Sequence, residues 1–380
     1  MILQLLNDTI RMLSEKRLDI FGFIRKKMNR YGFEPDFDNL KRVLLGGRGY
    51  RVPNMELVID QEIKDGFMGR AVATLEDEIE FRYKAGYDYA WISIGMIDPA
   101  GTVNKDLVKE QLDSERHVEG RDKRVWADEH SGRINNREDL ESFSWPKPEK
   151  LDYSPFIKAQ RSLRPGMKII AVLGKIFTAA WELMGLENFS LTMYDDPEFI
   201  DDLIERIGNI QLEVLKKIVQ IDTVGAVWIP DDIAYHTNTM VSEEWLKTKI
   251  FPYYKKMADI CKQVDKPVIY HSDGNLTKML DTIIKTGFDA LHPIEPESMD
   301  IYEVRNKIGK KLCLVGNIRV HILATQSPEK IRELVKDRVI NLGHKGAYCV
   351  GSSNSVPNYV PLENYKTMLQ ASADFGCIDK

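Results

Sequence analysis

Short apolar runs recur along the chain, and each is followed by turn residues and then by a longer amphipathic segment. The runs do not alternate strictly between apolar and polar residues, which is typical of parallel strands buried on both faces. Eight such runs occupy residues 51–59, 87–95, 167–174, 225–230, 266–271, 288–294, 311–317 and 346–353. Segments between them have helical periodicity, as in 196–220, 242–264 and 327–343. Ser242 and Ser327 stand at the predicted N-caps of the last two helices.

A strand followed by a helix, repeated eight times, predicts an α/β fold of the (β/α)8 TIM-barrel type. A doubly wound open sheet is the alternative, but no glycine-rich phosphate loop follows the first strand. Residues 1–50 are predicted to form a helical extension in front of a barrel that occupies 51–380. Residues 100–165 form an insertion, which is either a functional segment near the barrel mouth or a surface elaboration.

The composition narrows the function classes. The chain has 380 residues, of which 43% are hydrophobic and 29% charged, so a large core is expected. The 53 Lys and Arg residues against 58 Asp and Glu residues give a net charge of −5, and nucleic acid is therefore not an expected partner. No apolar run is long enough for a membrane span. The four cysteines have no CxxC spacing, so we expect a reducing, cytoplasmic environment.

Polar side chains follow most of the predicted strands. Because a barrel carries its active site at the carboxyl ends of its strands, these residues are the candidate site. They are Trp91, Ser93 and Met96 at the second strand, Asp231, Asp232, Tyr235, His236 and Asn238 after the fourth, His271, Asp273 and Asn275 after the fifth, His292 and Glu295 after the sixth, Asn317, Arg319 and His321 after the seventh, and Ser352, Ser353 and Asn354 after the eighth.

Imidazole and carboxylate side chains at one rim suit zinc or another divalent ion. His271, Asp273 and Glu295 are the candidate ligands, with the adjacent pair Asp231 and Asp232 close by. Aromatic side chains near the same loops are typical of a pocket for an apolar or aromatic small molecule, although aromatic residues on helices more often belong to the core. These aromatic residues are Trp91, Phe177, Trp181, Tyr235 and Tyr359.

Structural alternatives stay open for several of these residues. Asp231 or Asp232 is equally well explained as a cap of the next helix. His292 is alternatively a packed core histidine or one that supports a neighbouring ligand. Asn317 is alternatively a residue that satisfies backbone groups in its turn. Cys349 lies inside the eighth predicted strand and is expected to be a small buried hydrophobe rather than a ligand.

Several segments, in the right order between residues 50 and 375, resemble the uroporphyrinogen decarboxylase superfamily. They are IPDDIAYHTNTMVSEEWLKTKIFPYYKKM (229–257), PVIYHSDGN (267–275), GFDALHPIEPESMDI (287–301), LVGNIRVHIL (314–323) and GSSNSVPNYVPLENY (351–365). The resemblance implies a (β/α)8 barrel. It also implies one of two chemistries, which are cofactor-free decarboxylation of uroporphyrinogen and methyl transfer between a substrate and a corrinoid carrier by a zinc-bearing barrel.

Two departures from the family patterns separate these chemistries. The decarboxylases resemble one another in an arginine-bearing segment of the type MRQAGRY, whereas this chain has GGRGYRVPNMELVID, with Arg48 and Arg51 near the equivalent place. The thiol-methylating members carry His-x-Cys after the fifth strand and another Cys after the eighth. This chain has HSD at 271–273 and SSN at 352–354, which is a harder ligand set and puts thiol methylation in doubt.

The resemblance therefore favours the demethylating step of an anaerobic O-demethylase system. The expected enzyme moves a methyl group from a methoxylated, aromatic substrate to the cobalt of a cobalamin-type corrinoid on a carrier protein. The alternatives are a cofactor-free decarboxylase of a uroporphyrinogen-like or other small acid, and a non-catalytic barrel that binds a corrinoid or its carrier. A homodimer is also an expectation.

The resemblance assigns an expected role to each candidate residue. The expected catalytic residues are His271, Asp232 and Asp231, and the expected zinc ligands are His271, Asp273 and Glu295. The expected substrate-binding residues are Trp91, Trp181, Tyr235, His236, Asn317, Arg319, Ser353 and Asn354.

Overall fold

The structure is a computed structural model that describes residues 34–95, 97 and 132–378. Within these residues, one parallel sheet of seven strands runs in chain order. Its strands are β1 (Tyr89–Ser93), β2 (Lys168–Val172), β3 (Val224–Pro230), β4 (Val268–His271), β5 (Ala290–His292), β6 (Cys313–Val315) and β7 (Tyr348–Cys349). Most of the predicted N-terminal extension, Met96 and the first half of the predicted insertion lie outside the described residues.

Helices follow the strands and cover the sheet. They are α1 (Phe37–Leu44), α2 (Gln61–Met68), α3 (Leu75–Lys84), α4 (Arg137–Ser142), α5 (Ser154–Lys158), α6 (Phe177–Met184), α7 (Leu186–Asp195), α8 (Pro197–Ile218), α9 (Glu243–Lys249), α10 (Phe251–Gln263), α11 (Leu280–Thr286), α12 (Ile301–Ile308), α13 (Val320–Thr325), α14 (Pro328–Asn341) and α15 (Leu362–Gly376). None of the helices in the described ranges has the length and apolar character needed to cross a membrane.

The predicted helix starts match the structure. The hydroxyl of Ser242 accepts a hydrogen bond from the Trp245 amide at 3.2 Å, and the Ser327 hydroxyl accepts one from the Lys330 amide at 3.4 Å. Each bond satisfies one of the amides that a helix leaves free in its first turn. The predicted helix 242–264 is divided into α9 and α10, because Pro252 in the first turn of α10 has no amide hydrogen to continue the ladder.

The first predicted strand, 51–59, is not a regular strand in the structure. It makes two isolated parallel bridges beside β7, from Asn54 to Val350 and from Ile59 to Val356. The preceding residue, Pro53, accepts a hydrogen bond from the Val350 amide at 2.9 Å but cannot donate one, which limits the ladder at this point. The α/β class and the parallel sheet are confirmed. Seven of the eight predicted strands form the sheet, and the first predicted strand is present only as this bridged segment.

The register of the sheet aligns the ends of three neighbouring strands. Pro230 of β3 pairs with His271 of β4, and His271 pairs with His292 of β5. All four residues of β4 and all three of β5 are buried, as expected for strands that are covered on both faces. The residues that follow β3, β4 and β5 therefore begin at the same level, on one edge of the sheet.

Candidate functional site

Three side chains meet where β3 and β4 end, and we name them the carboxylate–imidazole cluster: Asp232, His271 and Asp273. The Nε2 atom of His271 lies 3.7 Å from Asp232 Oδ1 and 3.9 Å from Asp273 Oδ1. One potential ligand atom from each residue lies within 4.8 Å of the other two. The part of the chain that the structure describes contains no other group of three such residues.

The loop after β4 is folded tightly onto the loop after β3. The Asp273 amide donates to Asp232 Oδ1 at 2.8 Å, and the Asn275 amide donates to the Tyr235 carbonyl at 2.9 Å. Gly274 between them has a φ of +85°, and a Cβ atom at this position would lie 2.5 Å from the Ala234 carbonyl oxygen. Only glycine fits this close approach, which brings Asp273 beside Asp232.

Asp273 has an unusual electrostatic environment. Its Oδ2 atom accepts a hydrogen bond from the Asn354 amide, but its buried Oδ1 atom has no hydrogen-bond partner among the described residues. The pKa of Asp273 is raised to about 6 overall. Burial is the largest cause, and His271 opposes it. The carboxylates of Asp232 and Glu295 also raise the pKa, and the hydrogen bond from Asn354 lowers it. The ionised cluster therefore carries negative charge that a proton or a cation neutralises.

The residues of the cluster fit a divalent cation. Two carboxylate oxygens and one imidazole nitrogen form a donor set that zinc and other borderline or hard cations accept. The separations of 3.7 and 3.9 Å between His271 Nε2 and the two oxygens are slightly longer than those between ligands about 2.0–2.2 Å from a common ion.

Asp231 points away from the cluster. Its carboxylate accepts hydrogen bonds from the amides of Ile176 at 2.8 Å, Phe177 at 2.7 Å and Thr178 at 2.7 Å, and from the hydroxyl of Tyr254. Burial raises the pKa of Asp231, and the hydrogen bonds from Thr178 and Tyr254 oppose this rise. The side chain caps the start of α6, so one member of the Asp pair is a cap, but of a helix that precedes it in the chain rather than of the next helix.

Glu295 supports the site from outside the cluster. Its Oε2 atom accepts hydrogen bonds from the Gly274 amide at 3.1 Å and from the Ser298 hydroxyl at 2.9 Å. The same hydroxyl contacts His236 Nδ1 at 2.8 Å. Glu295 therefore fixes the loop that carries Asp273, and the structure does not bring it into the group of three potential ligands.

Asn317 and Ser353 are both occupied by structural contacts. The side-chain Nδ2 of Asn317 donates to the Ile294 carbonyl at 2.7 Å, and the side-chain Oδ1 accepts a hydrogen bond from Arg338 Nε at 2.8 Å. The Ser353 hydroxyl accepts from the Val320 amide at 3.3 Å, at the start of α13. Asn317 therefore satisfies a backbone group, but in the loop after β5 rather than in its own turn.

The remaining predicted substrate-binding residues have different environments. Arg319 is paired with Glu297 on the surface, and Tyr235 is 53% exposed. Trp91 is buried in β1 and Trp181 is half-buried in α6. Both indole N–H groups are buried and have no hydrogen-bond acceptor among the described residues.

His271 has a second contact on the side away from the cluster. Its Nδ1 atom lies 2.7 Å from His292 Nδ1, and the two rings stack with their centroids 5.0 Å apart and an angle of 28° between their planes. His292 is completely buried, and the ring of Trp228 packs edge-to-face against it. Burial lowers the pKa of His292 well below its usual value. We refer to His271 and His292 as the histidine pair.

Sequence reasoning missed an ion pair beside the cluster. Lys175, which follows β2, is paired with Glu182 of α6. Burial raises the pKa of Glu182, Lys175 lowers it, and the charges of Asp231 and Asp232 raise it further. The position of Lys175 after a predicted strand was a usable signal, but nothing in the sequence marked Glu182.

Glu56 is a second buried acid that sequence reasoning missed. It lies in the segment that bridges to β7, and its carboxylate accepts hydrogen bonds from the amide and the hydroxyl of Ser352. Burial raises the pKa of Glu56 to about 7, against the lowering effects of Ser352 and Arg82. Glu56 is one of three polar residues in the segment 51–59, with Arg51 and Asn54, and nothing in the sequence marks it as a buried acid.

Residues 130–375 match the family model described as Uroporphyrinogen decarboxylase (URO-D). The chain belongs to the uroporphyrinogen decarboxylase family. This match confirms the superfamily that the sequence motifs predicted. The matched residues include every strand from β2 to β7.

The relatives that this chain resembles include a methyltransferase and a decarboxylase. The methylcobamide:CoM methyltransferase MtbA of Methanosarcina mazei is 22% identical over 249 residues, which cover 64% of this chain and 70% of that protein. A uroporphyrinogen decarboxylase of Actinobacillus pleuropneumoniae is 23% identical over 266 residues with the same coverage. A solved methyltransferase from Methanosarcina mazei has a TM-score of 0.64 at 15% identity and covers 89% of this chain and 98% of that one. This structural match shows the fold alone, and the similarity to MtbA supports the methyltransferase branch.

Arg48 and Arg51 stand near the place of the arginine-bearing decarboxylase segment, and they lie at the edge of the sheet opposite to the cluster. Arg51 pairs with the buried carboxylate of Asp88, which immediately precedes β1. The residue before Arg48, Gly47, accepts a hydrogen bond from the Ala347 amide at 2.9 Å, just before β7 begins. Both positions are therefore at the amino ends of the strands, whereas the carboxylate–imidazole cluster is at the carboxyl ends.

The described cysteines are also outside the cluster. Cys261, Cys313 and Cys349 are buried, and Cys377 is exposed near the carboxyl terminus. The Sγ atoms of Cys313 and Cys349 lie 3.9 Å apart in the core, and burial raises the pKa of Cys349 well above its usual value. A buried thiol with a raised pKa is a poor ligand, which agrees with the expected role of Cys349 as a small hydrophobe.

Proposed function

We propose that this family member is a corrinoid-dependent methyltransferase that demethylates a methoxylated, aromatic substrate and transfers the methyl group to the cobalt of a corrinoid carrier protein. The observation that carries the proposal is the donor set of the cluster. Asp273 provides an oxygen atom where thiol-methylating relatives have cysteine, and it lies beside His271 and Asp232. A site without thiolate suits activation of an oxygen leaving group better than activation of a thiol.

The proposed reaction breaks the bond between the ether oxygen and the methyl carbon. The electron pair of that bond remains on the oxygen, and the methyl carbon forms a new bond with an electron pair of the reduced corrinoid, which acts as the second substrate. The phenolate that leaves needs a proton or a positive charge at its oxygen. His271 Nε2 and Asp273 Oδ1 lie 3.9 Å apart, and in this proposal one of them gives a proton to that oxygen.

A divalent cation, zinc in the first instance, would be held by Asp232, His271 and Asp273, and when bound it supplies Lewis-acid stabilisation of the developing phenolate. Asp231 contributes by fixing the start of α6, and Glu295 by fixing the loop of Asp273. The catalytic role expected for Asp231 and the ligand role expected for Glu295 are thus replaced in this proposal by positioning roles.

The unpaired indole N–H groups of Trp91 and Trp181 support an aromatic substrate, because an indole offers both an apolar face and one donor. The ion pair of Lys175 and Glu182 adds one cation near the cluster, since the charge of Asp232 acts on Glu182. Decarboxylation of uroporphyrinogen fits less well. Its many carboxylates require several free cations at the site, whereas Lys175 and Arg319 both have acidic partners.

The decisive experiment mixes the protein with a reduced corrinoid carrier protein and a panel of methoxylated benzoates and phenols. We expect the absorbance of methylated cobalt to appear with at least one substrate, together with one equivalent of the demethylated phenol. The variant His271→Ala is expected to abolish turnover. The matched control is His344→Gln, since His344 contacts the Phe375 carbonyl and lies before β7, away from the cluster.

Other outcomes discriminate among the alternatives. A spectral change of the corrinoid without turnover would identify a binding module. Release of carbon dioxide from uroporphyrinogen, with no methyl transfer from any methoxylated compound, would identify a decarboxylase. Full activity of His271→Ala would remove this histidine from the mechanism.

A further inference from the structure

The histidine pair restricts where its own hydrogens lie. The two Nδ1 atoms are 2.7 Å apart, so one nitrogen carries a hydrogen and the other presents a lone pair. His292 is fully buried and packs against the Trp228 ring, an environment that favours the neutral imidazole with a single hydrogen. Two arrangements are possible, and they differ in which nitrogen of each ring is protonated.

In the first arrangement, His292 donates from Nδ1 to His271 Nδ1. The hydrogen of a neutral His271 then lies on Nε2, directed towards the carboxylates of Asp232 and Asp273 at 3.7 and 3.9 Å. The Nε2 atom of His292 keeps a lone pair. Each hydrogen of the pair therefore faces an acceptor or a negative charge.

In the second arrangement, His271 donates from Nδ1, and the hydrogen of His292 moves to its Nε2 atom. That atom is buried and has no hydrogen-bond partner among the described residues, and Trp228, whose ring packs on His292, offers a donor but no acceptor. A buried N–H without an acceptor is unfavourable. The lone pair of His271 Nε2 would also face two carboxylates, which is unfavourable unless a cation lies between them.

We propose that His292 is a positioning residue that sets the tautomer of His271. Without a bound cation, His292 holds the hydrogen of His271 on Nε2, so His271 presents a proton donor to the site. A divalent cation at the cluster reverses the tautomers of both histidines, because it requires the lone pair of His271 Nε2. This second part rests on the cation site of the proposed function, whereas the first part does not.

The tautomers are measured by nitrogen NMR of the full chain labelled with ¹⁵N-histidine at pH 8, first with a chelator and then with added zinc. The chain has seven histidines, and the two signals are assigned from the variants His271→Gln and His292→Asn. Without zinc, we expect the hydrogen of His292 on Nδ1 and that of His271 on Nε2. With zinc, we expect the hydrogen of His292 on Nε2, although His292 does not contact the ion.

Zinc affinity provides a second readout, measured by competition with a chromophoric chelator. Supporting hydrogen bonds to a ligating histidine typically change metal affinity by about 10–100-fold. We expect His292→Phe to bind zinc about 10–100-fold more weakly than the wild type. His292→Asn keeps an acceptor near the position of Nδ1 and is expected to retain most of the affinity. Circular dichroism of both variants checks that the fold is retained.

Each outcome decides a separate part of the proposal. A cation-free protein with the hydrogen of His292 on Nε2 overturns the first part. Zinc that shifts the signals of His271 and leaves the His292 tautomer unchanged overturns the second part, as does an equal loss of affinity in His292→Phe and His292→Asn. If zinc shifts no histidine signal, the cation site and the second part both fail, and the first part is decided by the cation-free spectrum alone.

Discussion

Replacement of Asp273 by asparagine tests the electrostatics of the cluster directly. The change keeps the shape of the side chain and an oxygen for the hydrogen bond from Asn354, but it removes the charge. Burial raises the pKa of Asp273 from 3.8 to about 6 in the folded protein, so ionising this group opposes folding. The wild type is therefore most stable, as far as this group is concerned, below about pH 4, and loses this stability as the pH rises through about 6.

The magnitude follows from the size of the pKa change. A rise from 3.8 to about 6 corresponds to about 3 kcal/mol in the free energy of unfolding. Because the side chain of Asp273 is 32% exposed, solvent screening reduces the effect, and we expect about 1–2 kcal/mol. Asp273→Asn should be more stable than the wild type by this amount at pH 8. The advantage should decrease towards pH 5, where the folded wild type already carries the proton.

The assay is urea unfolding at pH 5, 6, 7 and 8 in the presence of a chelator. Asp259→Asn is the matched control, because Asp259 is half exposed and pairs with Lys255 on the surface. Added zinc should reverse the order, since a ligand at 100 times its dissociation constant stabilises the wild type by about 2.7 kcal/mol. A cation-free variant that is less stable than the wild type at pH 8, or a difference that does not change with pH, would refute the reasoning.

Three further predictions concern other side chains. Asp231→Ala leaves three buried amides and one hydroxyl without an acceptor. The free energy of unfolding should therefore fall by at least about 3 kcal/mol, and a fall below about 1 kcal/mol would contradict the capping role. Burial raises the pKa of Glu56 from 4.5 to about 7. Unfolding measurements should therefore show that Glu56→Gln raises the free energy of unfolding by up to about 3 kcal/mol above pH 7 and leaves it unchanged below about pH 4. A gain in stability that is independent of pH would exclude this cause. Cys377→Ser should leave zinc affinity unchanged in a chelator competition, since the cluster contains no thiol, and a clear loss of affinity would indicate a different ligand set.

Strand-end reasoning found the residues of the cluster but not their orientations. Asp232, His271 and Asp273 follow buried strands, and the rule that parallel strands present their carboxyl ends together was sufficient to group them. Asp231 and Asp232 are adjacent, and no local pattern tells which one faces the site. The choice depends on the start of α6, whose free amides lie where Asp231 reaches them.

Long-range pairings account for the other differences. The contact between His271 and His292 depends on the register of β4 against β5, and the pair of Lys175 and Glu182 depends on how α6 returns over the strand ends. The strand order and most helix boundaries were predictable because buried apolar runs, caps and prolines act within a few residues. The reduction of the first predicted strand, 51–59, to isolated bridges was not predictable, because its ladder depends on a partner almost 300 residues later in the chain.

Local periodicity and motifs in a fixed order were sufficient to predict the α/β class, the family and the edge of the sheet at which Asp232, His271 and Asp273 meet. Only the tertiary structure decided that Asp231 is a cap, that Asp273 is a buried acid with a raised pKa, and that His292 contacts His271. Each of these properties comes from groups brought together from different strands and helices. Burial, unpaired donors and electrostatic coupling are set by such neighbours rather than by the identity of the residue alone.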